Sequence, residues 1–257
     1  MFEPDATLTE PGLDLQRTSA TQCTDFQVFG ERGSGTNFLT ALVRKNLKLR
    51  FWQQYGWKHG FPVAVGYSSQ SLILGIYRDP VDWLVSLFNV PRSTYAVEVP
   101  NDFSEFIRRP FVGVTSHNYD EFWRDGTNAT IPDDCPPQHL QCDRHPVTGQ
   151  LPDTPMALRN LKIAALIGFK LRCANVALVQ YERLREDRRV VVDALSRFYD
   201  IDRKGAFDAV DAPAQPPNAF KGRSRIERQD ISRSDLSFIW SQLDHSQERA
   251  LGYEMGA

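Results

Sequence analysis

The chain has 257 residues, of which 41% are hydrophobic and 24% are charged, and its formal net charge at pH 7 is −2. These values are typical of a globular protein with a full core, and they exclude a general electrostatic preference for nucleic acid or an anionic membrane. Any basic binding site must therefore be local.

The first 24 residues are polar and begin with acidic rather than basic side chains. We expect residues 1–24 to form a mobile leader, followed by a single domain over 25–257. No apolar run reaches the roughly 20 residues of a membrane helix, and no signal peptide is visible. The sequence therefore predicts a cytoplasmic location.

The first predicted element is an apolar strand over 25–29, which runs into a glycine-rich turn. Gly30, Gly33 and Gly35 permit positive φ angles, so successive N–H groups can point inward. Apolar residues then recur at helical spacing, and the first-turn amides of such a helix bind phosphate or sulfate. The sequence predicts an anion-binding turn here.

The spacing of Gly30 and Gly35 matches the phosphate loop of nucleotide triphosphatases, but the following residues differ. That motif continues with Lys and then Ser or Thr, whereas Thr36 and Asn37 follow here. Without the lysine and its partner hydroxyl on Mg²⁺, ATP or GTP chemistry loses much of its electrostatic stabilisation. The turn therefore favours a different donor.

Two further strands are predicted, over 56–59 and over 71–77, and a helix follows over 80–89. Arg78 then lies at the carboxyl end of a strand, where ligands bind in open α/β sheets. Its guanidinium fork matches a phosphate in a bidentate manner, and the hydroxyl of Ser86 adds a donor from the helix. This element predicts a second phosphate site.

The remaining chain alternates helices and strands around one long irregular segment. The predicted elements are helices over 102–109 and 117–125, a helix over 155–172, a strand over 175–181, a helix over 190–199, a break at 211–217 and a helix over 233–251. The segment 125–154 has no sustained period, and loops of that length are commonly functional or disordered, so we favour a lid or acceptor-binding insertion. The alternation indicates a mainly parallel sheet covered on both faces.

Two segments together resemble a known family. Residues 32–39 read RGSGTNFL and residues 74–87 read LGIYRDPVDWLVSL. The first resembles the 5′-phosphosulfate-binding loop of the sulfotransferase superfamily, which uses 3′-phosphoadenosine 5′-phosphosulfate (PAPS), and the second resembles its 3′-phosphate-binding element. The resemblance implies an α/β fold of the P-loop type, a three-layer αβα arrangement around a mainly parallel sheet. It also implies PAPS as donor, 3′,5′-phosphoadenosine as product, and no required metal.

The resemblance also implies which residues bind the donor. Where many members carry Lys before Ser-Gly-Thr, this chain has Gly33, and we expect Arg32 to supply the missing charge. Residues 179–184 (VQYERL) are similar to the family's segment whose Tyr approaches the base, and residues 219–225 (AFKGRSR) are similar to its late Lys-Gly loop. The implied donor-binding residues are Arg32, Gly33, Ser34, Gly35, Thr36, Asn37, Phe38, Arg78, Ser86, Tyr181, Lys221, Gly222 and Arg223, with Phe38 against the adenine.

The expected catalytic residues are His59, Lys58 and Arg32. The family often carries a catalytic His between the two phosphate elements, and imidazole accepts a proton near neutrality. His59 would deprotonate the acceptor, with His117 in reserve, while Lys58 would offset charge on the sulfuryl group. Members usually have one residue between Lys and His, whereas Lys58 and His59 are adjacent in this chain. Adjacent side chains of a strand face opposite ways. Either this segment is not a regular strand, or only one of the pair faces the site.

Each feature also has an ordinary structural interpretation. A glycine-rich turn is often a plain loop, and an Arg-Asp-Pro is often a capped turn. His59 can be a hydrogen-bonded structural histidine, and Arg32 can be the ion-pair partner of Glu31 or Asp79. Residues 219–225 can be a solvated basic loop. Cys135, His139, Cys142 and His145 cluster in one segment, but their spacing matches none of the common zinc patterns, so no metal is expected.

The joint occurrence of both phosphate elements favours a PAPS-dependent sulfotransferase with a small-molecule or carbohydrate acceptor and no nucleic-acid or membrane partner. The transfer would be in line, to a hydroxyl or an amine, with a histidine general base. One alternative is a P-loop nucleotide or small-molecule kinase. Another is a non-catalytic nucleotide-binding protein of the same fold. The sequence leaves the acceptor and the oligomeric state open.

Overall fold

A computed structural model describes residues 6–89, 100–111, 143–211 and 225–255. The chain divides into two compact units. The first contains Met1–Asp79 and Ile163–Ala214, and the second contains Pro80–Lys162 and Gln215–Ala257. The sequence pattern predicts one domain from residue 25 onward. The second unit is formed by the chain segment that is inserted between two neighbouring strands of the sheet, together with the C-terminal segment.

The first unit is built on a single sheet. Its strands are β1 (Ala6–Glu10), β2 (Leu13–Arg17), β3 (Asp25–Gly30), β4 (Arg50–Phe51), β5 (Ser71–Tyr77) and β6 (Asn175–Gln180). Within the described residues the sheet has six strands in the order β1-β2-β6-β5-β3-β4. β6, β5, β3 and β4 are parallel to one another, whereas β2 is antiparallel to both β1 and β6. The fold is therefore α/β with a mostly parallel sheet.

Helices follow the strands along the chain. They are α1 (Thr36–Asn46), α2 (Pro80–Asn89), α3 (Phe103–Phe106), α4 (Pro155–Ile167), α5 (Tyr181–Glu186), α6 (Arg188–Tyr199), α7 (Arg233–Gln242) and α8 (His245–Ala250). The first unit holds α1, α5, α6 and the end of α4, and these helices flank its sheet. In the described ranges, no helix is both long enough and apolar enough to cross a bilayer.

The register of the parallel strands fixes where a site can form. All residues of β3 and β5 are buried, as expected for strands covered on both faces. Gly30 is opposite Ile76, and Tyr77 is opposite Gln180. The carboxyl ends of β3, β5 and β6 therefore lie side by side at one edge of the sheet.

The N-terminal segment differs from the sequence prediction. Residues 1–24 are expected to form a mobile leader, but β1 and β2 make a hairpin whose turn contains Gly12 at a φ of 77°. Leu13 and Leu15 of β2 are buried against the sheet. The prediction is wrong over residues 6–17. The alternation of apolar and polar residues in β2 is short, and the strand with which β2 pairs, β6, is far away in sequence.

Other elements follow the sequence pattern closely. The strand predicted over 71–77 and the helix over 80–89 are confirmed. The helix over 233–251 is interrupted, because the carboxylate of Asp244 caps a new helix, α8. The strand predicted over 56–59 is wrong, since those residues form turns and β4 precedes them. The predictions over 117–125, over 125–142 and over 212–217 lie outside the described residues.

The second unit contains a fully buried ion pair. Arg159 on α4 and Glu248 on α8 are 0% and 1% exposed, with Nε 2.6 Å from Oε1 and Nη2 2.9 Å from Oε2. The Arg159 guanidinium also lies 5.4 Å from the ring centroid of Trp83 on α2. This bidentate pair joins three helices of the unit, and removal of one partner would take the bidentate contact from a fully buried charge.

We expect Glu248→Gln to lower the free energy of unfolding by about 3–5 kcal/mol, because Arg159 keeps its charge in a buried position. The matched control is Glu254→Gln, since Glu254 is 67% exposed and lies 3.5 Å from Arg249. The control should change stability by less than about 1 kcal/mol. Chemical denaturation measures the free energy of unfolding of both variants. An equal loss of stability in both would show that the buried pair contributes no more than a surface ion pair.

Candidate functional site

The glycine turn between β3 and α1 is a tight structure. Gly33 and Gly35 have φ angles of 80° and 103°. A Cβ atom at Gly35 would lie 2.5 Å from Cδ2 of Tyr181, so this position accommodates only glycine without movement of the ring. The turn is closed by Ser34, which is fully buried and donates its hydroxyl to the carbonyl of Glu31 at 2.7 Å. The Ser34 hydroxyl, implied as a donor contact, is therefore used within the turn.

The N-terminus of α1 is open to an anion. Gly35 is its N-cap, and no side chain of the described residues caps the helix. The first turn contains no acidic residue, so the positive end of the helix dipole is not offset there. Thr36 is buried, whereas Gly33 and Asn37 are exposed. The exposed part of the turn thus presents backbone amides and one side-chain amide.

Lys58 and His59 both face this turn. The Lys58 ammonium donates to Oδ1 of Asn37 at 2.5 Å, and Nδ1 of His59 lies 2.8 Å from the carbonyl oxygen of Gly30. The N–H of Gly30 in turn donates to the carbonyl of Lys58 at 2.9 Å. Because the segment is a turn rather than a strand, adjacent side chains can point to the same place. Both members of the pair are therefore at the site.

The contact of His59 determines its tautomer. A carbonyl oxygen can only accept a hydrogen bond, so Nδ1 carries the proton and donates it to Gly30. In the neutral imidazole the lone pair is then on the second ring nitrogen, Nε2. The ring of Trp57 packs edge-on against the imidazole, and the two ring centroids are 5.3 Å apart.

Burial affects the charge of Lys58. Its side chain is partly buried, and desolvation lowers the pKa of the ammonium from its ordinary value. An anion beside the ammonium would offset this effect, since opposite charges favour the protonated form. Lys58 is therefore suited to bind a negative group at the turn.

Two arginines lie on aromatic rings around the turn. Arg32 is 6% exposed, and its Cζ atom is 4.7 Å from the ring centroid of Trp57, so it contributes charge from a buried position. Arg78 follows β5, and its Nη1 atom is 3.4 Å from the carbonyl oxygen of Gly33. The Cζ atom of Arg78 lies 4.7 Å from the ring centroid of Tyr181. The parallel register thus brings Arg78, Tyr181 and the turn together.

Phe38 does not present an open ring. The resemblance implies that it stacks on adenine, but it is 1% exposed and belongs to the core of the first unit. The guanidinium of Arg188 lies 5.5 Å from its ring centroid. Arg188 is not among the residues predicted from the sequence; the signal that points to it is the arginine-rich stretch over 183–189 that follows Tyr181.

Other predicted residues lie in the second unit or outside the described residues. Ser86 lies on α2 in the second unit. His117, Lys221, Gly222, Arg223, Cys135, His139 and Cys142 lie outside the described residues. His145 is described, and its Nδ1 atom accepts the amides of the turn residues Val147 and Thr148 at 3.2 Å. Among described residues, no group of three or more metal-ligating side chains is found.

The lowered pKa of Lys58 predicts how anion binding depends on pH. Sulfate is fully ionised above neutrality, so its affinity should fall as Lys58 loses its proton, below the usual lysine range. We expect Lys58→Arg to abolish this fall, because arginine stays protonated over the same pH range. Sulfate titrations by calorimetry test this. Lys48→Arg is the control, since Lys48 pairs with Asp202 at the surface, and an unchanged Lys58→Arg profile would exclude this role.

The described residues of the first unit thus combine a glycine turn, an uncapped helix N-terminus, a lysine–histidine pair and two arginines on aromatic rings. All of them lie at the edge formed by the carboxyl ends of parallel strands, where ligands bind in α/β sheets. Comparisons with protein families, with curated proteins and with solved structures find no match to this chain.

Proposed function

We propose that this chain is a sulfotransferase that moves a sulfuryl group from PAPS to a hydroxyl or amine acceptor. The observation that supports this best is the attachment of Lys58 and His59 to the two sides of the glycine turn, through Asn37 and Gly30. This arrangement provides an anion-binding group and a proton acceptor at one place. It does so without the lysine that phosphate loops of nucleotide triphosphatases carry.

The turn suits the 5′-phosphosulfate of the donor. Its amides and the dipole of α1 attract a tetrahedral anion, and the exposed residues Gly33 and Asn37 leave that end of the helix accessible. Arg78 adds a guanidinium at the carbonyl of Gly33. The resemblance assigns Arg78 to the 3′-phosphate, and a fork of N–H donors next to the turn is compatible with either phosphate.

The transfer step can be written with the residues present. The acceptor oxygen or nitrogen attacks sulfur, a new bond to sulfur forms, and the bond between sulfur and the bridging phosphate oxygen breaks. The electron pair of the broken bond goes to the phosphate oxygen, and the acceptor proton goes to Nε2 of His59. The Lys58 ammonium offsets the charge that develops on the bridging oxygen. This chemistry needs no redox partner.

The identity of the bound nucleotide separates the main alternatives. We expect 3′,5′-phosphoadenosine to raise the melting temperature, because a ligand that binds only the folded state stabilises it, by about 2.7 kcal/mol at 100 times its Kd. ATP with Mg²⁺ should give a much smaller shift at the same concentration. A thermal-shift titration of the full chain measures both. A larger shift with ATP and Mg²⁺ would replace the proposal by a kinase.

A variant of His59 tests catalysis separately from binding. His59→Asn retains an amide donor near the position of Nδ1, and hence the bond to Gly30, but removes the proton acceptor. We expect turnover to fall by about 10²- to 10⁴-fold, with little change in the affinity for 3′,5′-phosphoadenosine. Release of 3′,5′-phosphoadenosine from PAPS, with 2-naphthol, glucose and glucosamine as probe acceptors, measures turnover.

The control for this experiment is His245→Asn, on α8 of the second unit. It should leave turnover as in the unaltered chain. Equal activity of His59→Asn and the control would assign His59 to a structural role. Binding of 3′,5′-phosphoadenosine without turnover of PAPS by the unaltered chain would favour the non-catalytic alternative.

A further inference from the structure

Arg188 is placed next to the glycine turn by the order of the strands. It is the first residue of α6, and the carboxylate of the N-cap Asp187 accepts the N–H of Val190 at 3.0 Å. α6 follows β6 through the short helix α5, so it begins near the sheet edge where β3 also ends. The start of α6 therefore lies near the start of α1.

The Arg188 side chain covers a ring in the first turn of α1. Its Cζ atom is 5.5 Å from the ring centroid of Phe38, three residues after the N-cap Gly35. Phe38 is almost fully buried, whereas Arg188 is only partly buried. Of the two side chains, Arg188 is therefore the more accessible to a ligand.

Arg188 also retains hydrogen-bonding capacity. Its Nε atom is buried and has no acceptor among the described residues, and no carboxylate in the described ranges forms an ion pair with it. The carboxylate nearest in sequence, Asp187, is engaged in the helix cap. A buried donor without a partner costs stability, and a ligand with acceptor atoms can remove that cost.

A nearby arginine gives a useful comparison. Arg189 lies on a ring as well, 5.1 Å from the centroid of Phe207, but it is exposed and Phe207 is outside the glycine turn and α1. The two arginines are adjacent in sequence and carry the same charge. Of these two arginines, Arg188 is the one that combines a ring in the turn region with a buried N–H that lacks an acceptor among the described residues.

We propose that Arg188 is a specificity-determining residue that recognises a purine base, with its guanidinium plane stacked between Phe38 and the base of the bound nucleotide. A planar guanidinium stacks on the faces of aromatic rings, while its N–H groups, which lie in its plane, stay available to acceptor atoms beside the stack. This inference rests on the proposed function, because it takes the nucleotide phosphate to occupy the glycine turn. The resemblance implies that adenine stacks directly on Phe38. In the arrangement proposed here, the base stacks instead on the Arg188 guanidinium, which lies over Phe38.

Two bisphosphates that differ only in the base test this assignment. We expect Arg188→Ala to weaken 3′,5′-phosphoadenosine by about tenfold and cytidine 3′,5′-bisphosphate by less than about threefold, since purines stack more strongly. Arg188→Lys should lose nearly as much affinity for 3′,5′-phosphoadenosine, because lysine keeps the charge but not the plane. Calorimetric titration of the full chain measures each Kd.

Arg189→Ala is the matched control and should leave both dissociation constants unchanged. Equal weakening of both bisphosphates by Arg188→Ala, or full retention of affinity by Arg188→Lys, would show that Arg188 acts as a charge on a phosphate and would overturn the inference. Unchanged binding by Arg188→Ala would also overturn it. If the unaltered chain fails to bind 3′,5′-phosphoadenosine, the proposed function itself is wrong.

Discussion

A Cβ atom at residue 30 would lie 2.5 Å from the carbonyl oxygen of Ile76, so β3 can end beside β5 in this way only with glycine at its last position. The same residue offers both of its backbone groups to the segment that carries Lys58 and His59. Its N–H donates to the Lys58 carbonyl, and its carbonyl oxygen accepts from His59. Gly30 is therefore the point at which the sheet edge, the turn and the proposed catalytic pair are joined.

Aromatic rings hold cations around the turn in an otherwise slightly acidic chain. Arg32 on Trp57, Arg78 on Tyr181 and Arg188 on Phe38 each place a guanidinium within 5.5 Å of a ring centroid. Such contacts help to orient the arginine side chains. The helix N-terminus among them adds positive potential, although the net charge of the chain is −2.

Two features of the chain differ from the sulfotransferase pattern that its sequence resembles. The chain lacks the loop lysine of that family, and Lys58 reaches the turn from another segment through Asn37. The adjacent Lys58 and His59 conflict with a strand, but residues 56–59 form turns, in which neighbouring side chains can converge. The proposed chemistry therefore depends on a short irregular segment rather than on regular secondary structure.

The sequence alone determined the elements whose signals are local. The glycines after residue 29, the β-forming residues over 71–77 and the helical spacing after Pro80 identified β3, α1, β5 and α2 because each pattern lies within one element. Tertiary structure decided the pairing of β2 with β6, the approach of Lys58 to Asn37 and the position of Arg188 on Phe38. These contacts join segments that are distant in the chain, and they depend on strand order and register, which local periodicity does not encode.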